Sequence, residues 1–153
     1  MEMERTFVMI KPDGVQRGLI GRLLGSFEDR GMKLVALKLV KVSSKRAEEH
    51  YAEHEGKDFH KRLLSFINSG PVIVAVIEAP DAVRQVRKMI GVTDPAEAEV
   101  GTIRQKWAQD TRYNLIHASD SPESAEREIG LFFDEDEILD YHLDIHRWVL
   151  FPE

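Results

Sequence analysis

Cysteine is absent from the chain. That excludes disulfides and thiolate chemistry and suits a reducing, cytoplasmic setting. No apolar run approaches the ~20 residues needed to cross a bilayer, so no membrane partner is expected. The polar start Met1-Glu2-Met3-Glu4-Arg5 and the short run 6–10 do not read as a secretory leader. Positive charge is in deficit, with 21 Lys and Arg against 27 Asp and Glu, a formal net charge of −6. A dedicated nucleic-acid surface needs the opposite balance. Small phosphorylated ligands are not excluded, because local Lys and Arg clusters can focus positive potential on an acidic protein. Glycine loops are missing as well. Gly14, Gly18 and Gly21 are wrongly spaced for a dinucleotide fingerprint, and no phosphate loop ending in Gly-Lys-Ser/Thr occurs. If phosphate is bound, side chains must do most of the holding.

What is present is ordinary soluble globular composition, 42% hydrophobic and 31% charged. The length suits one domain spanning residues 1–153. A strand at 6–11 ends in the turn signal Pro12-Asp13-Gly14. A helix follows with Leu19, Ile20, Leu23, Leu24 and Phe27 on one face, stopping near Gly31. Residues 33–40 form a second strand with one wet face. Ser43 or Ser44 then caps a polar helix running to about His54, its inward stripe being Ala47, His50, Tyr51 and His54. A short apolar helix around Leu63, Leu64, Phe66 and Ile67 leads to a third strand at 71–78, apolar enough to be covered on both faces. Pro80-Asp81 opens a helix with Val83, Val86 and Ile90 facing in. Residues 92–101 are a loop, 102–108 a short helix, and 135–141 another short helix after the fourth strand and its helix. This order is the split βαβ of a ferredoxin-like α+β fold. The expectation is a βαββαβ antiparallel four-stranded sheet with helices on one face and extra helices between strands two and three.

Chemistry concentrates in the run Tyr113-Asn114-Leu115-Ile116-His117-Ala118-Ser119-Asp120-Ser121. Extended alternation would put His117 on one face with Leu115 and Tyr113. Ser121-Pro122-Glu123 reads as an N-cap, a proline at the first helical position and an acid in the first turn. A histidine just before a helix start lies where anions are readily accepted. Glu128, two turns on, can fold back to hold the imidazole. A lone strand histidine is more often half-buried and structural, and only company elsewhere in the chain reverses that reading. Lys11 ends strand one, Arg87 lies in the helix after strand three, and Arg104 follows Gly101-Thr102-Ile103, with Thr93 between the two arginines. Arginine forks and a lysine point charge suit phosphate oxygens. Taken singly, Arg87 fits a solvated helix face beside Arg84 and Lys88, and Lys11 fits a strand-end charge equally well.

Taken together, the run Asn114 to Ser121 closely resembles the active-site signature of the nucleoside diphosphate kinases. The segment Ile10-Lys11-Pro12-Asp13-Gly14-Val15-Gln16-Arg17-Gly18 resembles the family's N-terminal motif. Asn68-Ser69-Gly70-Pro71-Val72, Gly101-Thr102-Ile103-Arg104 and Ser124-Ala125-Glu126-Arg127-Glu128-Ile129 resemble further motifs, in family order. The resemblance implies a kinase moving the γ-phosphoryl group of a nucleoside triphosphate, mainly ATP, to nucleoside or deoxynucleoside diphosphates by ping-pong steps through phosphorylated His117. It also implies that Glu128 and Ser119 orient His117, that Lys11 and Tyr51 take part in catalysis with it, and that Lys11, Tyr51, Arg87, Thr93, Arg104 and Asn114 contact the nucleotide. Phe59 matches the residue on which the base stacks, although Phe59, Leu63, Phe66 and Ile67 are also spaced for one helix face packed in a core. Mg²⁺ is implied as cofactor, carried by the nucleotide phosphates, and a homohexamer is favoured over a tetramer. Ala118, where glycine is common in the family, implies a backbone after His117 open to ordinary residues.

Two rivals compete. His50 and His54, or His142 and His146, lie i, i+4 as a zinc pair would, but the Glu of a hydrolase motif is absent because Tyr51 follows His50. The other is a non-catalytic ferredoxin-like interaction module.

Overall fold

A computed structural model describes residues 2–52 and 60–151. Four strands, β1 (Glu4–Ile10), β2 (Lys33–Val40), β3 (Val72–Ala79) and β4 (Ile116–Ala118), form a sheet in the order β2-β3-β1-β4. Every pairing is antiparallel, with Phe7 opposite Val76 and Met9 opposite both Val74 and His117. The α+β, ferredoxin-like expectation holds.

Strict alternation along the two central strands builds two cores. Val8 and Ile10 of β1 join Ile73, Ala75 and Ile77 of β3 on one face, while Phe7 and Met9 join Val72, Val74 and Val76 on the other. The first face is covered by α2 (Ile20–Asp29) through Leu23 and Phe27, and by α5 (Ala82–Ile90) through Ala82, Val86 and Ile90. The expectation of helices on one face needs correction here. The second face is covered by α3 (Ser44–His50), α4 (His60–Ile67) and α7 (Pro122–Phe132), through Ala47, Ile67 and Phe132. Burial on both sides is why β3 reads as an unbroken apolar run. In β2 a register shift between Leu34 and Ala36 breaks the alternation and puts Val35 and Ala36 in the same core.

Local chemistry accounts for several of the helix starts. Ser43 caps α3 by accepting from the Arg46 N–H, and Ser121 caps α7 by accepting from Ser124 N–H with Pro122 at the first helical position. Three boundaries differ from expectation, the first being α3, which ends at His50 with Tyr51 as its C-cap instead of running to about His54. Pro12-Asp13-Gly14 continues into a one-turn helix, α1 (Pro12–Gln16), because proline is preset for a first helical turn. The segment 135–141 is helical only as a 3-10 turn at Glu135–Glu137. Beyond it the chain is drawn onto β2, where Leu139 N–H donates to Val35 O at 2.9 Å and the Tyr141 hydroxyl donates to Leu34 O. The remaining short helices are α6 (Ile103–Trp107) and α8 (His146–Val149). No helix among the described residues is long and apolar enough to cross a membrane.

Candidate active site

β4 is short, and its register places the site. His117 lies opposite Met9, so its ring turns to the second face, with centroids 6.1 Å from Phe7 and 4.8 Å from His50. Leu115 and Ile116 both point into the first core instead. The expected alternation of Tyr113, Leu115 and His117 on one face is therefore wrong. Leu115 has φ 76°, and this left-handed residue reverses the chain's facing just before the strand begins. Ala118, by contrast, sits in the strand without a positive φ, as its identity implied.

The imidazole is held from α7. Glu128, 1% exposed, places Oε1 2.9 Å from His117 Nε2 and accepts from the Ser119 hydroxyl at 2.7 Å on the same oxygen. Burial alone would raise the Glu128 pKa, but the hydrogen bond and charge of His117 and the Ser119 hydroxyl outweigh it and hold the carboxyl below its ordinary value. An ionised Glu128 accepts a proton-bearing Nε2, which fixes the tautomer with the lone pair on Nδ1. On its other oxygen Glu128 meets the Arg127 guanidinium at 3.8 Å. Arg127 also donates to the carbonyls of Glu49 and His50, tying α7 to the end of α3.

Three cations bond to β4 or to the turn before it. Lys11, half-buried, donates Nζ to Asn114 Oδ1 at 2.8 Å, and Asn114 in turn donates Nδ2 to Thr93 O at 3.1 Å. Arg87 donates to Ala118 O at 3.0 Å. Arg104 is buried and donates to the carbonyls of Asn114, Ile116 and Gly91, pinning both ends of the Leu115 turn to the helix α5 end. Gly91 permits this closure, because at its φ of 93° a Cβ would stand 2.6 Å from Thr102 Oγ1. Arg87, Gly91, Arg104 and Ala118 line a small cleft together. Burial and the neighbouring Arg104 charge pull Lys11 down to about 8, against the opposing pull of Asp13. Burial and the Arg87 charge likewise bring Arg104 down to about 10. A lysine and an arginine each lowered by a neighbouring guanidinium are an arrangement poised for an anion.

The structure thus brings His117, Glu128 and Ser119 into contact, and Lys11, Asn114, Arg104 and Arg87 lie along β4 and the turn before it. Thr93 joins through its carbonyl, with the residue itself exposed. Tyr51 is buried at the end of α3 with its ring against His50, centroids 4.6 Å apart. Burial and the Glu128 charge push its phenol pKa up, so it stays neutral. Phe59 and His54 lie outside the described residues, which removes the first zinc pair from view. The second is no helical pair, because α8 begins at His146 and leaves His142 outside it.

The sequence reading missed His50 as part of the site. It is 2% exposed, neither ring nitrogen has a hydrogen-bond partner, and burial with the nearby His117 charge lowers its pKa to about 3. Its signal was its place on the weakly apolar inward stripe of α3. Asp13 was missed too, since a turn residue gives no hint of a long-range bond. Its Oδ2 accepts from Leu115 N–H at 3.1 Å. Among the described residues, the group of three metal-capable side chains is His50, His117 and Glu128, with donor atoms within 4.8 Å of one another. Two imidazoles and one carboxylate are a poor match for Mg²⁺, which prefers an octahedron of oxygens.

The chain is similar to known proteins over nearly its whole length. A family model described as nucleoside diphosphate kinase matches residues 4–138. A nucleoside diphosphate kinase of Thermomicrobium roseum is 55% identical over 148 residues, covering 97% of this chain and 99% of the relative. Among solved structures, a halophilic nucleoside diphosphate kinase from Halobacterium salinarum in complex with CDP superposes with a TM-score of 0.94 at 51% identity, covering 97% of this chain and 99% of that one. The Aquifex aeolicus nucleoside diphosphate kinase superposes at 0.88 and 40% identity, covering 90% and 100%.

The state of His50 sets a pH dependence. Its folded pKa lies below the unfolded value of ~6.5, so between about 3 and 6.5 the unfolded chain binds the extra proton. Stability therefore falls as pH drops through that window, by at most ~1.4 kcal/mol per pH unit from this group. In urea unfolding from pH 4 to 7, His50→Leu is expected to flatten the slope and lose no stability at pH 7, since no hydrogen bond is broken. A slope identical to wild type contradicts a buried neutral His50.

Proposed function

The chain belongs to the nucleoside diphosphate kinase family, and on that premise we propose how its residues carry out the phosphotransfer. The enzyme is a phosphotransferase of nucleotide metabolism, a nucleoside diphosphate kinase. His117 is the nucleophile. The observation that carries this assignment is the 2.9 Å contact from Glu128 to Nε2, which leaves the Nδ1 lone pair for attack. Nδ1 attacks the γ-phosphorus of a nucleoside triphosphate in line, the bond from phosphorus to the β,γ-bridging oxygen breaks, and the diphosphate leaves with that electron pair. A second diphosphate's terminal oxygen then attacks the phosphorus, and the N–P bond breaks back to the lone pair. No proton need move on Nδ1 in either step. The CDP that accompanies one solved relative supports a diphosphate as acceptor.

Lys11, Arg87 and Arg104 spread the charge developing on the transferring oxygens, and their mutual repulsion in the free protein favours filling the cleft with phosphate. Ser119 helps fix Glu128, while Tyr51, Thr93 and Asn114 supply neutral contacts. Mg²⁺ enters with the nucleotide as part of the substrate, in keeping with the donor set at His117. Phe59 stacks on the base without reading its edge, which gives broad base tolerance. The lack of cysteine supports a cytoplasmic setting, and residues 1–153 act as a single domain.

A homohexamer is proposed. Leu37 and Leu39 are exposed on β2, a sheet edge, and Val100, Trp148 and Phe151 are also exposed, apolar surface that a partner copy would cover.

Incubation with γ-labelled ATP tests the nucleophile. An acid-labile, base-stable label that disappears in His117→Ala is expected, and label retained by that variant contradicts the assignment. Phe59→Ala is expected to raise KM for purine and pyrimidine nucleotides alike with kcat little changed; a loss confined to one base would show that stacking is not the main contact. Light scattering should give six times the 17.5 kDa chain mass, and a monomeric mass overturns the assembly.

A further inference from the structure

Among the described residues, Asp81 and Leu115 have positive φ without being glycine. Asp81 is exposed at a helix start, whereas Leu115 is fully buried two positions before His117. The Ile116 N–H returns to the Asn114 carbonyl at 2.9 Å, so Leu115 is the centre of a γ-turn with φ 76°. That form of turn is rare and strained, and persists only where its surroundings over-determine it.

The surroundings can be named. Leu115 O accepts from Lys11 N–H at 2.9 Å, and Arg104 holds the carbonyls of Asn114 and Ile116 on either side. The Leu115 N–H donates to Asp13 Oδ2. Removing that acceptor leaves a donor unpaired inside a packed core. Helix α1 abuts the turn so closely that a Cβ on Gly14 would stand 3.0 Å from Leu115 O. The second Asp13 oxygen, Oδ1, is buried with no hydrogen-bond partner. Its charge acts on Lys11, opposing the burial and the Arg104 charge that discharge the ammonium. His50, across the site on α3, also feels the Lys11 charge but is itself neutral.

We propose that Asp13 is a positioning residue for phosphoryl transfer, one carboxylate oxygen bracing the γ-turn that sets the facing of His117 while its negative charge serves the Lys11 ammonium. The inference rests on His117 being the nucleophile. Asp13 touches neither nucleotide nor reacting atoms; it acts through Leu115 and Lys11.

Two variants of the 153-residue chain test both tasks. Asp13→Asn keeps the shape and an oxygen acceptor but removes the charge. It is expected to lower kcat less than Asp13→Ala does, while the alkaline fall of kcat/KM moves to lower pH as Lys11 loses its proton more easily. Asp13→Ala removes both, and is expected to lower kcat by about tenfold or more with nucleotide KM within about twofold. An alkaline limb unmoved in Asp13→Asn, a kcat as low in Asp13→Asn as in Asp13→Ala, or a wild-type kcat in Asp13→Ala would each overturn the proposal. Asp13→Asn decides the matter alone should Asp13→Ala fail to accumulate. Wild-type labelling run alongside separates the two readings, because an unlabelled wild type sinks the nucleophile and this inference with it.

Discussion

The hydrogen bond between the Glu128 carboxylate and His117 Nε2 is the contact on which the chemistry depends. A carboxylate that is 1% exposed is costly to keep ionised unless its partners satisfy it. Here His117 and Ser119 share one oxygen and Arg127 stands near the other. The fold supplies each of these from a different place. β4 pairs with the central strand β1 and so fixes the height of the ring, while the Ser121 cap sets where α7 begins and therefore where Glu128 falls. Arg127 reaches the last carbonyls of α3, which links the orienting carboxylate to the helix carrying His50 and Tyr51.

Around this contact the molecule keeps like charges close. Lys11, Arg87 and Arg104 lie along β4 and the turn before it, inside a chain whose net charge is −6. Their backbone partners explain how the arrangement is tolerated. Arg104 spends its guanidinium on three carbonyls and Arg87 donates to a fourth, so part of each charge is met by peptide dipoles before any ligand arrives. Arg104 thereby does structural and electrostatic work at once, and the cleft it lines is preorganised.

Much of this was legible in the sequence. The alternation of β1 and β3, the Ser121-Pro122 helix start and the reach of Glu128 to His117 all follow from spacing, because each depends on local geometry. What was not legible depends on contacts distant in sequence. Leu115 gives no sign of a left-handed φ, since leucine disfavours it and only Asp13, Lys11 and Arg104 impose it. The second layer of helices was likewise hidden, because α3 has so thin an apolar stripe that its polar sequence suggests a solvated helix. His50 is buried in spite of that sequence, without a hydrogen-bond partner on either nitrogen.

The chemistry turns on which nitrogen of His117 is free. Phosphorus–nitrogen NMR of the enzyme phosphorylated by ATP reads this directly, by assigning the phosphoryl group to one ring position. Phosphorus bonded to Nδ1 is the predicted result, with Nε2 still protonated toward Glu128. Phosphorus on Nε2 would contradict it, since that nitrogen could then not be the one Glu128 holds.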